Sequence, residues 1–404
     1  MARLSKNWVA DFIEFGKPFN TPPMFLEWGA IWQLTTAVGR QIGTRLRGQV
    51  LTPNMFIALL GGPGSGKSQA ISAMRQIVLP ACNISLIPAS VTRAGLQDYM
   101  QENVQKRTSP DGSLMLSNEC IALSEEMQGI LPEHDIGHLT LYNELYDVRS
   151  VYKARTRSHG EINLQSPYCS IITGAQPAFL ATTLPEQAWG MGFMSRLIMV
   201  FDTPNGRTSA FEFSDVDRKL QTSLITDLRE ISKLYGYFKW DKGARALYET
   251  WWVERGGPPI PGAKRLAMGY NSRRDMHFFK LAMAFSLSRG NDLTVTADDA
   301  QKAVSLLLRT EDRMKGIFNE MAQAGATMAL ADVLETVKTE ALDGKAIEES
   351  RLMHMLMQRF PSTQCRSLID NMINSKMLKQ VSGLNGAGAV GFRTFVPGEK
   401  AGTL

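Results

Sequence analysis

Cysteine and histidine are scarce in this chain of 404 residues, which holds four of the first and five of the second. Cys82, Cys120, Cys169 and Cys365 never come closer than 38 residues to one another, which excludes a zinc ribbon and argues against a disulfide framework. Cys120 and Cys169 each fall inside an apolar run, where a reduced thiol acts as a small core residue and points to a reducing, cytosolic setting. His134 and His138 have the i, i+4 spacing of metal ligands, but no third ligand follows them. Long apolar runs are also missing: no stretch approaches the ~20 residues needed to span a bilayer. The opening MARLSKNWVADFIEF is amphipathic and lacks a signal-peptide core. Nor does one charge dominate, since 44 Lys and Arg against 39 Asp and Glu leave +5. Any nucleic-acid contact must therefore come from local patches. The remaining composition, 44% hydrophobic and 21% charged, is that of a soluble globular chain long enough for two or three domains.

Residues 1–50 read as a helical segment, with Trp8, Phe12, Phe25, Trp28, Ile31 and Trp32 spaced on apolar faces and Pro22-Pro23 between them. Across residues 51–212, five short apolar runs alternate with longer helical or polar segments: MFIALL (55–60), ISLIP (84–88), CIAL (120–123), YCSIIT (168–173) and RLIMVF (196–201). That alternation predicts an α/β core around a parallel five-stranded sheet. Residues 213–322 read as a helical lid. Phe278, Leu281, Ala282 and Phe285 follow a helical period, and Thr296 with Asp299 forms an approximate capping box at the next helix start. Residues 323–404 predict three helices and a β-hairpin, a winged helix. Ser362, Thr363, Gln364 and Arg366 would open its recognition helix, with DNA contact and protein docking as alternative uses.

The sharpest motif is Gly61-Gly62-Pro63-Gly64-Ser65-Gly66-Lys67-Ser68, followed by Gln69, after the strand MFIALL and before the helix-compatible QAISAMRQIV. This is the pattern G-x-x-x-x-G-K-[ST] in the strand, loop, helix context it requires. Its glycines turn backbone amides toward phosphates, Lys67 reaches the β and γ oxygens of ATP, and Ser68 ligates Mg²⁺. Such a site needs an acid at the end of a neighbouring strand. CIAL-Ser124-Glu125-Glu126 provides it, with Glu125 assigned to Mg²⁺ and Glu126 to water activation; Ser124 with Glu125, one residue earlier, is the alternative register. Gln176 stands just past YCSIIT and before Pro177, placed to reach the γ-phosphate or the lytic water. Arg196 precedes the last apolar run, from which a guanidinium can serve a neighbouring subunit's ATP. Arg273 and Arg274 are candidates for a second, in-chain phosphate sensor, with a salt-bridge role as the alternative. Lys153, Arg155 and Arg157 alternate along a stretch free of acids from Arg149 to Gly160. On a strand they share one face, fit for nucleic-acid phosphates or simply for solvent.

PNMFIALLGGPGSGKS, LSEE, ITGAQP, GFMSRL and the run RRDMHFFKLAMAFSLSRGNDLTVTADDAQKAV together resemble the AAA+ ATPases over roughly residues 5–320. Closer still is the similarity to phage-type replicative helicases, and the last run is similar to the lid of minichromosome-maintenance helicases. The resemblance implies a Walker B role for Glu125 and Glu126, a sensor 1 role for Gln176, an arginine finger at Arg196 and sensor 2 at Arg273 or Arg274. It departs from the family at Glu125, where Asp is usual, and at Gln176, where Asn is usual. It further implies a homo-oligomeric ring, a hexamer in the family's manner, with single-stranded DNA in a central channel and other replication proteins as partners. The expected setting is a bacterial or phage-infected host cytoplasm, without membrane contact. The expected activity is ATP-driven DNA unwinding in phage or plasmid-type replication. A helicase loader or remodeller and a nucleotide-switched initiator are the alternatives.

Overall fold

A computed structural model describes residues 3–131, 135–147, 150–156, 160–183, 192–203, 215–254, 256–257, 269–342, 346–357, 362–381 and 394–399. The chain divides into two compact units, Met1–Phe318 and Asn319–Leu404. Among the described residues no helix is long and apolar enough to cross a membrane.

The first unit opens with helices α1 (Trp8–Gly16) and α2 (Pro23–Val38). In α1, Asn7 caps the first turn by accepting from the Ala10 amide, and Trp8, Phe12 and Phe15 form the buried stripe. α2 is apolar nearly all round and buried along nearly its whole length, with the Trp28 indole donating to the Thr310 hydroxyl at 2.9 Å. Strands β1 (Ile42–Leu46) and β2 (Gln49–Leu51) form a hairpin, then β3 (Phe56–Leu60) enters the main sheet and leads to α3 (Lys67–Ala81). α4 (Arg93–Glu102), β4 (Val104–Thr108), β5 (Leu114–Ser124), α5 (Ile136–Tyr146), β6 (Val151–Thr156), β7 (Gly160–Gln165), β8 (Tyr168–Ala175) and α6 (Pro177–Thr183) follow. A single helical turn, Phe193–Arg196, then delivers the chain to β9 (Leu197–Phe201).

The main sheet has the order β4, β5, β8, β3, β9, with β5, β8, β3 and β9 parallel and β4 antiparallel at the edge. The fold is thus mixed α/β, and the expectation of five parallel strands is corrected in one place. Residues 84–88 contribute only an isolated parallel bridge, Leu86 to Ile121. Pro88 has no amide to extend the ladder, and the Leu86 carbonyl accepts from the Tyr99 hydroxyl at 2.7 Å. The central strands are buried throughout, as parallel strands covered on both faces must be. Cys120 and Cys169 face each other as register partners on β5 and β8, and all four cysteines are buried thiols in no disulfide.

The helix Arg274–Arg289 packs against α1 and α2 and buries Phe278, Leu281, Ala282 and Phe285. Thr296 and Asp299 exchange hydrogen bonds, Thr296 N to Asp299 Oδ2 at 2.9 Å and Asp299 N to Thr296 Oγ1 at 3.4 Å. That box opens the helix Ala297–Leu342, which has no proline to break it and continues past the boundary expected at 322.

The second unit packs Val333, Val337, Leu352, Leu356, Ile369 and Phe395 in one core. Its helices Glu349–Met357 and Ser362–Asn374 accompany a three-stranded antiparallel sheet in the order Ile347–Glu348, Thr394–Pro397, Leu378–Val381.

Candidate functional site

At the C-terminal end of β3 the backbone turns through Gly64 (φ 73°) and Gly66 (φ 82°), the latter capping α3. Both lie in the left-handed region, which glycine enters without steric cost. Gly66 is doubly constrained, because a Cβ there would stand 2.9 Å from the Asn20 carbonyl oxygen. The Lys67 ammonium curls back over the loop and donates to the Gly61 and Gly62 carbonyls and the Ser65 hydroxyl at 2.7, 2.8 and 2.9 Å. One positive charge is therefore held in the loop's concavity at the start of a 15-residue helix whose first amides have no side-chain cap. That is a cradle for phosphate oxygens.

Glu125 and Glu126 leave the end of β5 on the wall facing this loop, and Gln176 leaves the end of β8. Lys67, Ser68, Glu125, Glu126 and Gln176 line one cleft of about 240 Å³. Ser124 is spent on the turn itself: its hydroxyl donates to the Glu126 carbonyl at 2.8 Å and accepts the Glu126 amide at 3.3 Å. This leaves Glu125 and Glu126, both exposed, as the carboxylates on offer. The Gln176 carbonyl accepts the Phe179 amide at 3.0 Å, which fixes Gln176 at the mouth of α6 with its side chain exposed.

Two contributors carry no motif. A Cβ on Gly174 would stand 2.3 Å from the Glu125 carbonyl oxygen and 3.4 Å from the Lys67 Cβ, so the acidic turn closes against β8 only over a glycine. Asn20 (φ 51°) and Thr21, between α1 and α2, cover the other side of the loop. Thr21 Oγ1 donates to the Gly66 carbonyl at 2.9 Å, and Asn20 joins Gly64 to Gln69 around a recess of about 270 Å³. The signal available for Asn20 was its place before Thr-Pro-Pro, a turn composition.

Among the described residues no three His, Cys, Asp or Glu side chains gather to cage a metal. The Ser68 hydroxyl and the Glu125 and Glu126 carboxylates are hard oxygen donors, too few for a protein-only site. They fit Mg²⁺, which keeps waters and takes phosphate oxygens alongside one or two carboxylates. His138 is fully buried with its ring 4.9 Å from Tyr142, and burial lowers its pKa. It is a core residue, and His134 lies outside the described residues.

The arginines stand elsewhere. Arg196 precedes β9, level with the N-terminal ends of the parallel strands, whereas Lys67, Glu125 and Gln176 follow their C-terminal ends. The five residues of β3 separate the two levels by roughly 17 Å at ~3.4 Å per residue. The Arg196 side chain is only 9% exposed. It donates to Asp147 Oδ2 at 2.5 Å and to the Gly192 carbonyl at 2.8 Å, with its guanidinium 5.7 Å from the Tyr146 ring. Arg273 reaches Asp147 Oδ1 at 3.2 Å. The expectation of an in-chain sensor at Arg273 or Arg274 is thereby corrected. Arg273 joins Arg196 on Asp147, at the opposite strand ends from Lys67, and Arg274, with its side chain 1% exposed, is locked in a two-point ion pair with the equally buried Glu311. Lys280, buried beside them, donates to the Asn54 carbonyl at 2.5 Å and lies 3.8 Å from the Tyr146 ring centre. Burial first, with Arg273 and Arg196 adding to it, holds its ammonium well below the ordinary lysine pKa.

β6 and β7 pair antiparallel, with Lys153 opposite Asn163 and Arg155 opposite Glu161. Lys153 and Arg155 are exposed on one face of the ribbon, and Tyr152 on the other accepts from Gln97 Nε2 at 2.8 Å. Arg157 lies outside the described residues. Compared with protein-family models and with curated proteins, the chain matches none.

Proposed function

We propose that the protein is a Mg²⁺-dependent ATPase of the AAA+ kind, working in a ring and driving translocation along DNA in phage or plasmid-type replication. The observation that carries this reading is the division of labour across one sheet. The loop, Lys67, Ser68, Glu125, Glu126 and Gln176 converge on one cleft, while Arg196 and Arg273 sit at the opposite strand ends. A sheet in which the loop-bearing strand lies between β8 and β9 is consistent with the AAA+ assignment, and the helices and three-stranded sheet of the second unit with a winged helix.

In this reading the loop amides and Lys67 bind the β and γ phosphates, and Ser68 and Glu125 would hold Mg²⁺, which supplies charge neutralisation between them. Glu126 accepts a proton from the attacking water, and Gln176 orients that water against the γ-phosphorus. Arg196 is too far from its own cleft to act there, so the charge it offers the transition state goes to a neighbouring copy's ATP. The ribbon carrying Lys153 and Arg155 grips the phosphate backbone without reading bases.

The experiment is ATP turnover with and without single-stranded DNA, paired with a strand-displacement assay, on the wild type and on Lys67→Ala. Turnover stimulated by DNA, unwinding in the wild type and loss of both in the variant are expected. Turnover without DNA stimulation or unwinding would turn the reading to a loader or remodeller, and the absence of any turnover would remove the ATPase.

A further inference from the structure

A cavity of about 930 Å³ opens at the N-terminal ends of the parallel strands, away from the Lys67 cleft. Arg40, Arg47, Arg273 and Lys280 line it together with Tyr146 and a single acid, Asp147. Arg47 reaches it from the tip of the β1–β2 hairpin, where Arg47 (φ 49°) and Gly48 (φ 79°) make the two-residue left-handed turn of a tight hairpin. Its guanidinium lies 3.6 Å from Asp275 Oδ2. Arg40 donates to the Pro167 carbonyl at 3.0 Å, and burial pushes its pKa down to about 10, still protonated at neutral pH. Asp147 divides its two oxygens between Arg196 and Arg273. Three guanidiniums, those of Arg40, Arg47 and Arg273, thus line the hollow with one carboxylate, Asp147, while Arg196 pairs with Asp147 and Asp275 lies beside Arg47. Such an excess attracts an anion rich in charge, and guanidiniums pair best with the planar oxygens of phosphate.

We propose that this cavity is a second polyphosphate site, with Asp147 as its built-in counter-ion: an entering phosphate chain displaces the Asp147 carboxylate from Arg196 and Arg273. The ligand class is an oligophosphate, either free in solution or the tail of a nucleotide carried by a second copy of this chain. Only the second source rests on the ring reading above. Asp147 then has a definite role. It satisfies two arginines when no phosphate is present and opposes phosphate by like charge, so the site answers to triphosphate and not to weaker anions.

The test uses the full chain carrying Lys67→Ala, titrated calorimetrically with sodium tripolyphosphate. Asp147→Asn, which keeps shape and removes charge, is expected to tighten binding by about fivefold or more. Arg40→Gln is expected to weaken it by about tenfold. Thermal melts within a few degrees of the parent, of the order expected for a surface change, certify the fold of each variant. Tripolyphosphate binding indifferent to both substitutions, or weakened by Asp147→Asn, would overturn the assignment. Sedimentation of Glu126→Gln with ATP separates the sources: assembly strengthened by Asp147→Asn identifies the second copy's nucleotide. Unchanged assembly beside tightened tripolyphosphate binding identifies the free anion. Should wild-type ATP turnover be absent while the Asp147→Asn effect persists, the ATPase reading falls and this site stands.

Discussion

At the scale of single residues, a missing methyl shapes the cleft as much as any charge does. Gly174→Ala would drive a Cβ to 2.3 Å from the Glu125 carbonyl oxygen, a clash with backbone that no rotamer relieves. The acidic turn must move away from β8, and we expect a loss of about 1–3 kcal/mol of stability. ATP turnover should fall much further than nucleotide affinity, since the Lys67 Cβ, 3.4 Å from the new methyl, meets no more than an ordinary contact; a denaturation curve and kcat with KM check both parts. His277 sets a different constraint. Its Nε2 lies 3.1 Å from the Ser195 carbonyl oxygen, which can only accept, so the proton sits on Nε2. Burial, with Lys280 adding to it, pushes its pKa from 6.5 down to about 3. In the unfolded chain this imidazole binds a proton as pH falls below 6.5, while the folded chain stays neutral to about 3. The contribution of His277 is therefore complete above that upper value and is lost on acidification through the window, at about 1.4 kcal/mol per pH unit. Denaturant midpoints across that range, compared between wild type and His277→Gln, should show the slope in the first and a reduced slope in the second.

Among the elements, what the sequence discloses is what lies within one turn or one strand. The phosphate loop, the acidic pair after β5, Gln176 after β8 and the capping box of Thr296 and Asp299 are all local patterns, and each stands where its neighbours in sequence put it. Residues 84–88 misled because an apolar pentapeptide with a terminal proline has the composition of a strand without the amides to pair as one. Asp147, Asn20 and Gly174 escaped because their meaning arises from partners 49, 46 and 49 residues away in Arg196, Gly66 and Glu125, and no periodicity records such a meeting. The β6–β7 ribbon is intermediate. Alternation along β6 placed Lys153 and Arg155 on one face, but the register that sets Glu161 opposite Arg155 trims the positive charge in a way visible only across strands. Replacing Lys153 and Arg155 by alanine should weaken single-stranded DNA binding and lower the slope of log affinity against log salt by roughly 0.7 for each phosphate no longer neutralised. Fluorescence anisotropy at several salt concentrations measures it, and an unchanged slope would take DNA away from this ribbon.

For the whole first unit, the decisive feature is that its candidate groups stand at the two ends of one sheet, Lys67, Glu125, Glu126 and Gln176 at one and Arg196 and Arg273 at the other. A copy lacking Lys67 and a copy lacking Arg196 are each expected to be inactive alone. Mixed in equal amounts they should regain turnover, because a share of their joint interfaces unites an intact loop with an intact arginine. No recovery in mixtures that still co-assemble would confine Arg196 to a structural role beside Asp147. The buried thiols add a practical consequence. Cys82, Cys120, Cys169 and Cys365 are all interior, and burial raises the Cys82 thiol to about 11, which keeps the reactive thiolate rare. The native chain should therefore be dark to maleimide dyes. A single cysteine introduced at position 153 on the ribbon would carry the only fluorophore, and any slow labelling of the natural four would time the opening of the cores that hide them.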